Sequence, residues 1–183
     1  MNPAPDAADE SGWLPGVRRI LSPNCDERPA DEPVRLIVIH AISLPPNEFG
    51  GPGIIQLFTN RLDPADHPYF SEIRALRVSA HFLVRRDGEL TQFVSCSRRA
   101  WHAGVSIWRG RENCNDFSIG IELEGCDQLP FEDDQYLALN RLLEELQHRY
   151  LIAAVVGHSD IAPGRKTDPG PCFDWHRLRN VAR

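Results

Sequence analysis

The segment Val34–His40, VRLIVIH, is apolar along nearly its whole length. Seven residues are too few for a self-sustaining helix and enough for a strand covered on both faces, so this run predicts a strand inside a sheet. Ala153–His158 (AAVVGH) has the same character. Phe117–Glu124 (FSIGIELE) alternates Ile119, Ile121 and Leu123 against Gly120, Glu122 and Glu124, which puts the two glutamates on one face of a strand. Ala80–Arg85 and Leu90–Ser95 flank Asp87-Gly88, a hairpin signal because both turn residues tolerate positive φ. Over Asp133–Tyr150 the residues Tyr136, Leu139, Leu143, Leu146 and Tyr150 recur at helical spacing, with Asp133 and Asp134 suited to the positive first turn. A short helix over Ile54–Phe58 and a last helix capped by Asp174, with Trp175, Leu178 and Val181 inward, complete the pattern. Strands separated by helices, plus one hairpin, predict an α/β (α+β) fold with a central mixed β-sheet flanked by helices.

With 183 residues, 42% of them hydrophobic, the chain suits one domain, placed over residues 12–183. Residues 1–11 are acidic and Pro/Ala-rich, with neither a basic start nor an apolar run. They read as a disordered lead-in, and the protein as cytoplasmic. No stretch approaches the ~20 apolar residues of a membrane helix. A net charge of -6 argues against nucleic acid as a partner. The segment from Arg74 to Arg111 nevertheless carries eight arginines against Asp87 and Glu89, which suits a ligand with carboxylates; scattered solvated charge accounts for it as well. Five cysteines, an odd number without a CxxC pair, describe neither a disulfide framework nor a cysteine zinc knuckle, and read as reduced packing residues.

Two histidines close apolar strands, His40 and His158, at the sheet rim where sites are built. The loop after His158, SDIAPGRKTDPGPC, offers Asp160 and Asp168. Two imidazoles and a carboxylate with a fourth position open is a recurrent catalytic zinc arrangement. Each part alone is commonly structural, and spacing does not choose between the two aspartates. Lys166 is the single lysine beside nineteen arginines. A compact ammonium, which arginine's flat fork cannot replace, is one explanation; coding bias is the other. Glu122 falls within an apolar alternation, where a carboxylate is either ion-paired or a general base.

Taken in order, HAISLPPNEFGGPG, RVSAHFLVRRDGEL, RAWHAGVS, NDFSIGIELEG and GHSDIAPGRKTDPGP resemble the AmpD-type amidases of bacterial cell-wall recycling, within the zinc N-acetylmuramoyl-L-alanine amidase family that includes phage amidases and peptidoglycan recognition proteins. The likeness runs from about Gly12 to Arg179. It implies one zinc ion on His40, His158 and Asp168, Glu122 as catalytic acid/base, and Lys166 as stabiliser of the oxyanion. It also places Trp101-His102 in a loop that contacts the muramyl sugar. Arg77 and Arg111 are candidates for stem-peptide carboxylates on charge and position alone. The family commonly has an asparagine after the first zinc histidine; here Ala41 offers no side-chain hydrogen bond.

The implied activity is hydrolysis of the amide between the lactyl group of (1,6-anhydro)-N-acetylmuramic acid and L-alanine, by a monomer acting on a small muropeptide, without nucleic acid or membrane partners. An amidase acting on intact wall and a non-catalytic peptidoglycan-binding protein are the alternatives. The second commonly lacks a zinc ligand, and none is missing here. A structural zinc site would want four protein ligands.

Overall fold

The computed structural model describes residues 12–183, so the expected lead-in lies outside the described residues. Along the chain, β1 (Arg18–Arg19) and β2 (Cys25–Glu27) precede β3 (Leu36–Ile42), α1 (Gly53–Phe58), α2 (Pro68–Ile73) and β4 (Phe82–Val84). Then come β5 (Leu90–Gln92), β6 (Arg98–Ala100), β7 (Ile107–Trp108) and β8 (Arg111–Glu112). A 3-10 turn at Cys114–Phe117 leads into β9 (Ser118–Glu124), followed by α3 (Asp133–Arg149), β10 (Ala154–Gly157), α4 (His158–Ile161) and a last 3-10 turn at Trp175–Arg177.

The main sheet has the order β1-β5-β4-β9-β3-β10. The apolar run supplies β3, parallel to β9 on one side and to β10 on the other, with Leu36 to Ile39 fully buried. β4 is parallel to β9 and antiparallel to β5, which makes the sheet mixed. Parity on β3 and β9 sorts the core. Ile37, Ile39, Ile119, Ile121 and Leu123 pack against Tyr136, Leu139, Leu143 and Leu146 of α3. Leu36 and Val38 face the other way, onto Ala103, Phe117 and Ile161. Each fully buried aliphatic side chain contributes on the order of 1.5–3 kcal/mol. Even-numbered positions of β3 and β9 therefore look away from α3, and the chemistry lies on that side.

Three sequence expectations change. In the hairpin only Gly88 takes positive φ, at 81°. Gly88 donates to the Arg85 carbonyl and Arg85 to the Glu89 carbonyl, so the loop has three residues with glycine at its left-handed position. The last helix does not form. Asn140 on α3 accepts from the Arg179 N–H and donates to the Arg177 carbonyl, and the Ala182 carbonyl accepts from Val155 N. These tethers hold the chain extended after one 3-10 turn; Leu178 is still buried and Trp175 and Val181 pack on the core. His158 begins α4 instead of ending its strand. All five cysteines are free thiols, three of them buried. Among the described residues no helix is long and apolar enough to cross a membrane.

Candidate active site

Pairing of β3 with β9 sets His40 level with Glu122. His158 arrives from the end of β10, the neighbour of β3 on its other side. Asp168 is brought in by the loop that follows α4, where its carbonyl accepts from Ser159 N at 2.9 Å. Gly157 makes that approach feasible: a Cβ there would stand 2.8 Å from Pro169 Cδ. Asp160 is turned away, its carboxylate accepting from Gly157 N at 2.7 Å and pairing with Arg183. The structure thus separates two aspartates that spacing could not.

His40 Nδ1, His158 Nδ1 and Asp168 Oδ2 form a triangle with sides of 3.0, 3.0 and 3.1 Å. His158 Nε2 lies 3.0 Å from the Ala103 carbonyl oxygen, which can only accept. His158 Nε2 therefore carries a ring proton, and Nδ1 is the nitrogen that faces the triangle. Burial pushes His40 down to about 4, so protonation there does not supply the missing positive charge at neutral pH. Burial opposes charge on Asp168 too, yet its contacts with His158 and His40 hold its carboxyl below the ordinary range. Two imidazole Nδ1 atoms and one carboxylate oxygen converging within 3.1 Å of one another fit a divalent cation, and two histidines with one carboxylate is a donor set that catalytic zinc uses. Among the described residues this is the one His/Cys/Asp/Glu group close enough to hold a metal.

Glu122 and Glu124 share a strand face and differ in what surrounds them. Glu124 accepts from Arg85 and from Gly50 N, each at 2.7 Å, and is a structural ion pair. Glu122 is buried with Oε2 lacking any hydrogen-bond partner. Burial, reinforced by the Asp168 charge and opposed by Lys166, drives its carboxyl well above the usual carboxylate range. A buried carboxylate oxygen without a donor, lining the same cleft as the triangle, is a candidate for proton exchange and not a brace of the fold.

His40, Glu122, His158, Lys166 and Asp168 all line one open cleft of about 510 Å³. Trp101 lines it as well, with its indole N–H donated to Asp26 at 3.1 Å. His102 borders the cleft, but its Nδ1 lies 2.9 Å from His40 Nε2 and its Nε2 3.2 Å from Ser118 Oγ. Ala41 lines the cleft beside His40 without a polar side-chain atom. Arg77 stands exposed between the cleft-lining Leu76 and Val78, its guanidinium turned to the carbonyls of Arg74 and Leu76. Arg111 is not in the cleft: it pairs with Glu32 and stacks over Phe117 at 4.3 Å. Sequence reasoning missed Tyr69 and Ile73 of α2, which form part of the cleft wall.

The model of the N-acetylmuramoyl-L-alanine amidase family matches residues 30–171, most of the chain and every residue of the triangle. This chain belongs to that family. The 1,6-anhydro-N-acetylmuramyl-L-alanine amidase AmpD of Escherichia coli (strain K12) is 59% identical over 172 residues, which span 93% of this chain and 94% of that relative. A crystal structure of a selenomethionine AmpD derivative superposes with a TM-score of 0.90 at 58% identity, over 92% of this chain and 96% of the other. The E. coli amidase AmiD, solved with anhydro-N-acetylmuramic acid-L-Ala-D-γ-Glu-L-Lys, is more distant. Its TM-score is 0.59 at 34% identity, covering 83% of this chain and 59% of that one. The mixed sheet is thus the fold of this family.

Proposed function

We propose that this amidase hydrolyses the bond between the lactyl group of 1,6-anhydro-N-acetylmuramic acid and the L-alanine of a stem peptide, in cytoplasmic cell-wall recycling, with one zinc ion on His40, His158 and Asp168. The observation that carries the reading is the His40–His158–Asp168 triangle opening on the same cleft as Glu122 and Lys166. The near-equal length and high identity to an amidase named for the anhydro-muramyl substrate support that choice over intact wall.

Zinc bound in the triangle would supply Lewis acidity, acidifying water toward neutral pH and polarising a carbonyl oxygen. Glu122, with Oε2 unclaimed by any donor, takes the proton from water as it attacks the lactyl carbonyl carbon. The ammonium of Lys166 stands on the cleft wall to offset charge developing on the carbonyl oxygen. Glu122 returns its proton to the alanine nitrogen as the C–N bond breaks, leaving a carboxylate on the sugar and a free amine on the peptide. The anchored Trp101 indole offers a flat face to the sugar ring. Arg77, at the rim, is the nearer of the two candidate arginines for a stem-peptide carboxylate, whereas Arg111 is occupied by Glu32.

Mass spectrometry of anhydro-muramyl tripeptide incubated with the protein tests this. The expected products are the anhydro-sugar acid and the free tripeptide, abolished by chelator and restored by zinc. An intact substrate, or cleavage that chelator leaves untouched, contradicts the reading.

A further inference from the structure

His102 has one partner on each ring nitrogen, and the far end of the chain of contacts decides where its proton sits. Ser118 Oγ lies 2.5 Å from the Cys114 carbonyl oxygen. A carbonyl accepts only, so the serine hydroxyl donates there and is left as an acceptor toward His102 Nε2, 3.2 Å away. His102 Nε2 therefore carries the ring proton. With the ring proton placed on Nε2 by this contact, Nδ1 is the nitrogen left to accept. That nitrogen faces His40 Nε2 at 2.9 Å and accepts its proton in a hydrogen bond. His40 Nδ1 is then left without a proton, aimed into the triangle.

We propose that Cys114 carbonyl, Ser118 hydroxyl and His102 imidazole form a fixed relay that locks His40 in its Nε2–H tautomer and so presents Nδ1 to the metal. His102 and Ser118 are positioning residues of the metal centre; the inference rests on the zinc reading above. Metal-bound histidines as a rule donate their second ring N–H to an acceptor that sets tautomer and ring angle, and that acceptor here is another imidazole. A contact from His102 to a sugar would need a free ring nitrogen, and both are engaged.

The local sequence is built around this ring. Gly120 on β9 leaves the space it fills, since a Cβ there would stand 2.4 Å from His102 Cγ. Asn115 Oδ1 accepts from the N–H groups of both His102 and Ala103, at 3.2 and 2.8 Å. Ala103 in turn supplies the carbonyl that fixes His158. Two consecutive residues thus set both ligand tautomers, one through a side chain and one through the backbone.

The test combines nitrogen-15 spectra of histidine-labelled, metal-free protein with zinc affinity measured by chelator competition, for the wild type, His102→Asn, His102→Phe and Ser118→Ala. Asn retains an acceptor oxygen near the place of Nδ1, and should hold the His40 Nε2–H tautomer with zinc affinity within roughly threefold of wild type. Phe removes the acceptor; mixed His40 tautomers and a loss of zinc affinity on the order of 10–100-fold are expected. A folded His102→Phe protein with the wild-type His40 spectrum and affinity overturns the relay. Should that variant not fold, Ser118→Ala decides: a shifted tautomer balance and weaker zinc support the relay, and wild-type values in both readouts overturn it. A wild type that takes up no zinc contradicts the zinc reading instead, while the metal-free spectra still decide the relay.

Discussion

His40 and Glu122 stand level on adjacent parallel strands, side chains on the same face of the sheet. A rigid hydrogen-bonded ladder, not a loop, sets the spacing between the proposed metal ligand and the proposed base. Sites built on strands hold their geometry more tightly than sites built on loops. The loop-borne members, Asp168 and Lys166, complete the constellation from the other side.

Glu122→Gln keeps the shape of the side chain and removes its proton-accepting charge. Turnover should fall on the order of 10²–10⁴-fold with zinc content unchanged. The same change should stabilise the metal-free protein. Burial and Asp168 raise the Glu122 carboxyl well above its ordinary 4.5, so the folded state binds this proton more tightly than the unfolded chain. Its contribution is present below about 4.5 and is lost as pH rises through the folded value. Gln has no such loss. Metal-free Glu122→Gln at pH 7.5 should melt a few degrees above wild type, since ~1 kcal/mol moves a domain of this size by about 2–4 °C. Equal melting temperatures would contradict the orphaned-carboxylate argument.

Glu124→Ala, two residues along the same strand, should do the opposite. It strands the buried Arg85 guanidinium and the Gly50 N–H. Breaking one side of a buried pair costs about 3–5 kcal/mol, readable as a lowered urea midpoint. A change below ~1 kcal/mol would mean that Arg85 finds water when its partner is removed.

Lys166→Met should lower kcat on the order of 10²–10³-fold, with KM and zinc content near wild type, if its ammonium acts on the developing oxyanion. Lys166→Arg should recover little of that loss, because a planar fork does not place a compact charge at the same point. Steady-state kinetics on the anhydro-muramyl peptide separate the two parameters. Full activity of the Met variant would remove Lys166 from the chemistry.

Acid should destabilise the metal-free protein from about pH 6.5 downward. Burial pushes His40 down to about 4 and His81 to about 3, and holds His102 well below its ordinary value. The unfolded chain takes up these protons first, so stability is full above the unfolded value near 6.5 and is lost as pH falls through the folded values. Each group contributes up to ~1.4 kcal/mol per pH unit within its window. Glu122 runs against this trend, but as one group against three. Urea titrations at pH 7.5 and 5.0 should show the lower midpoint at pH 5.0; identical midpoints would mean that the three rings are charged in the fold.

The long elements were legible because each carries a strong local pattern. The runs at Val34–His40 and Ala153–His158, the alternation of β9 and the helical spacing of α3 all became the elements they predict, within a residue or two. What failed is either too short to carry a period or depends on partners far away in sequence. α2 spans six residues, begins at Pro68 and is capped by a histidine, His67, whose ring accepts from Tyr69 N; none of these gives a periodic signal. The C-terminal segment has a capping aspartate and apolar spacing, yet Asn140 captures its backbone from another element. In the site, residue types pointed to two histidines, and resemblance alone chose Asp168. The structure gives the reason, since Asp160 is spent on Gly157 N. Arg111 shows the limit of charge counting: the guanidinium that appeared free for a ligand is paired with Glu32.

Metal analysis of the purified protein, paired with activity, bears most directly on the claim that His40, His158 and Asp168 hold a catalytic ion. Wild type should carry about one zinc per chain, and His40→Ala should lose both the metal and the amidase activity while keeping its fold by circular dichroism. Full activity in metal-free protein, or a folded His40→Ala variant that retains zinc and turnover, would contradict it.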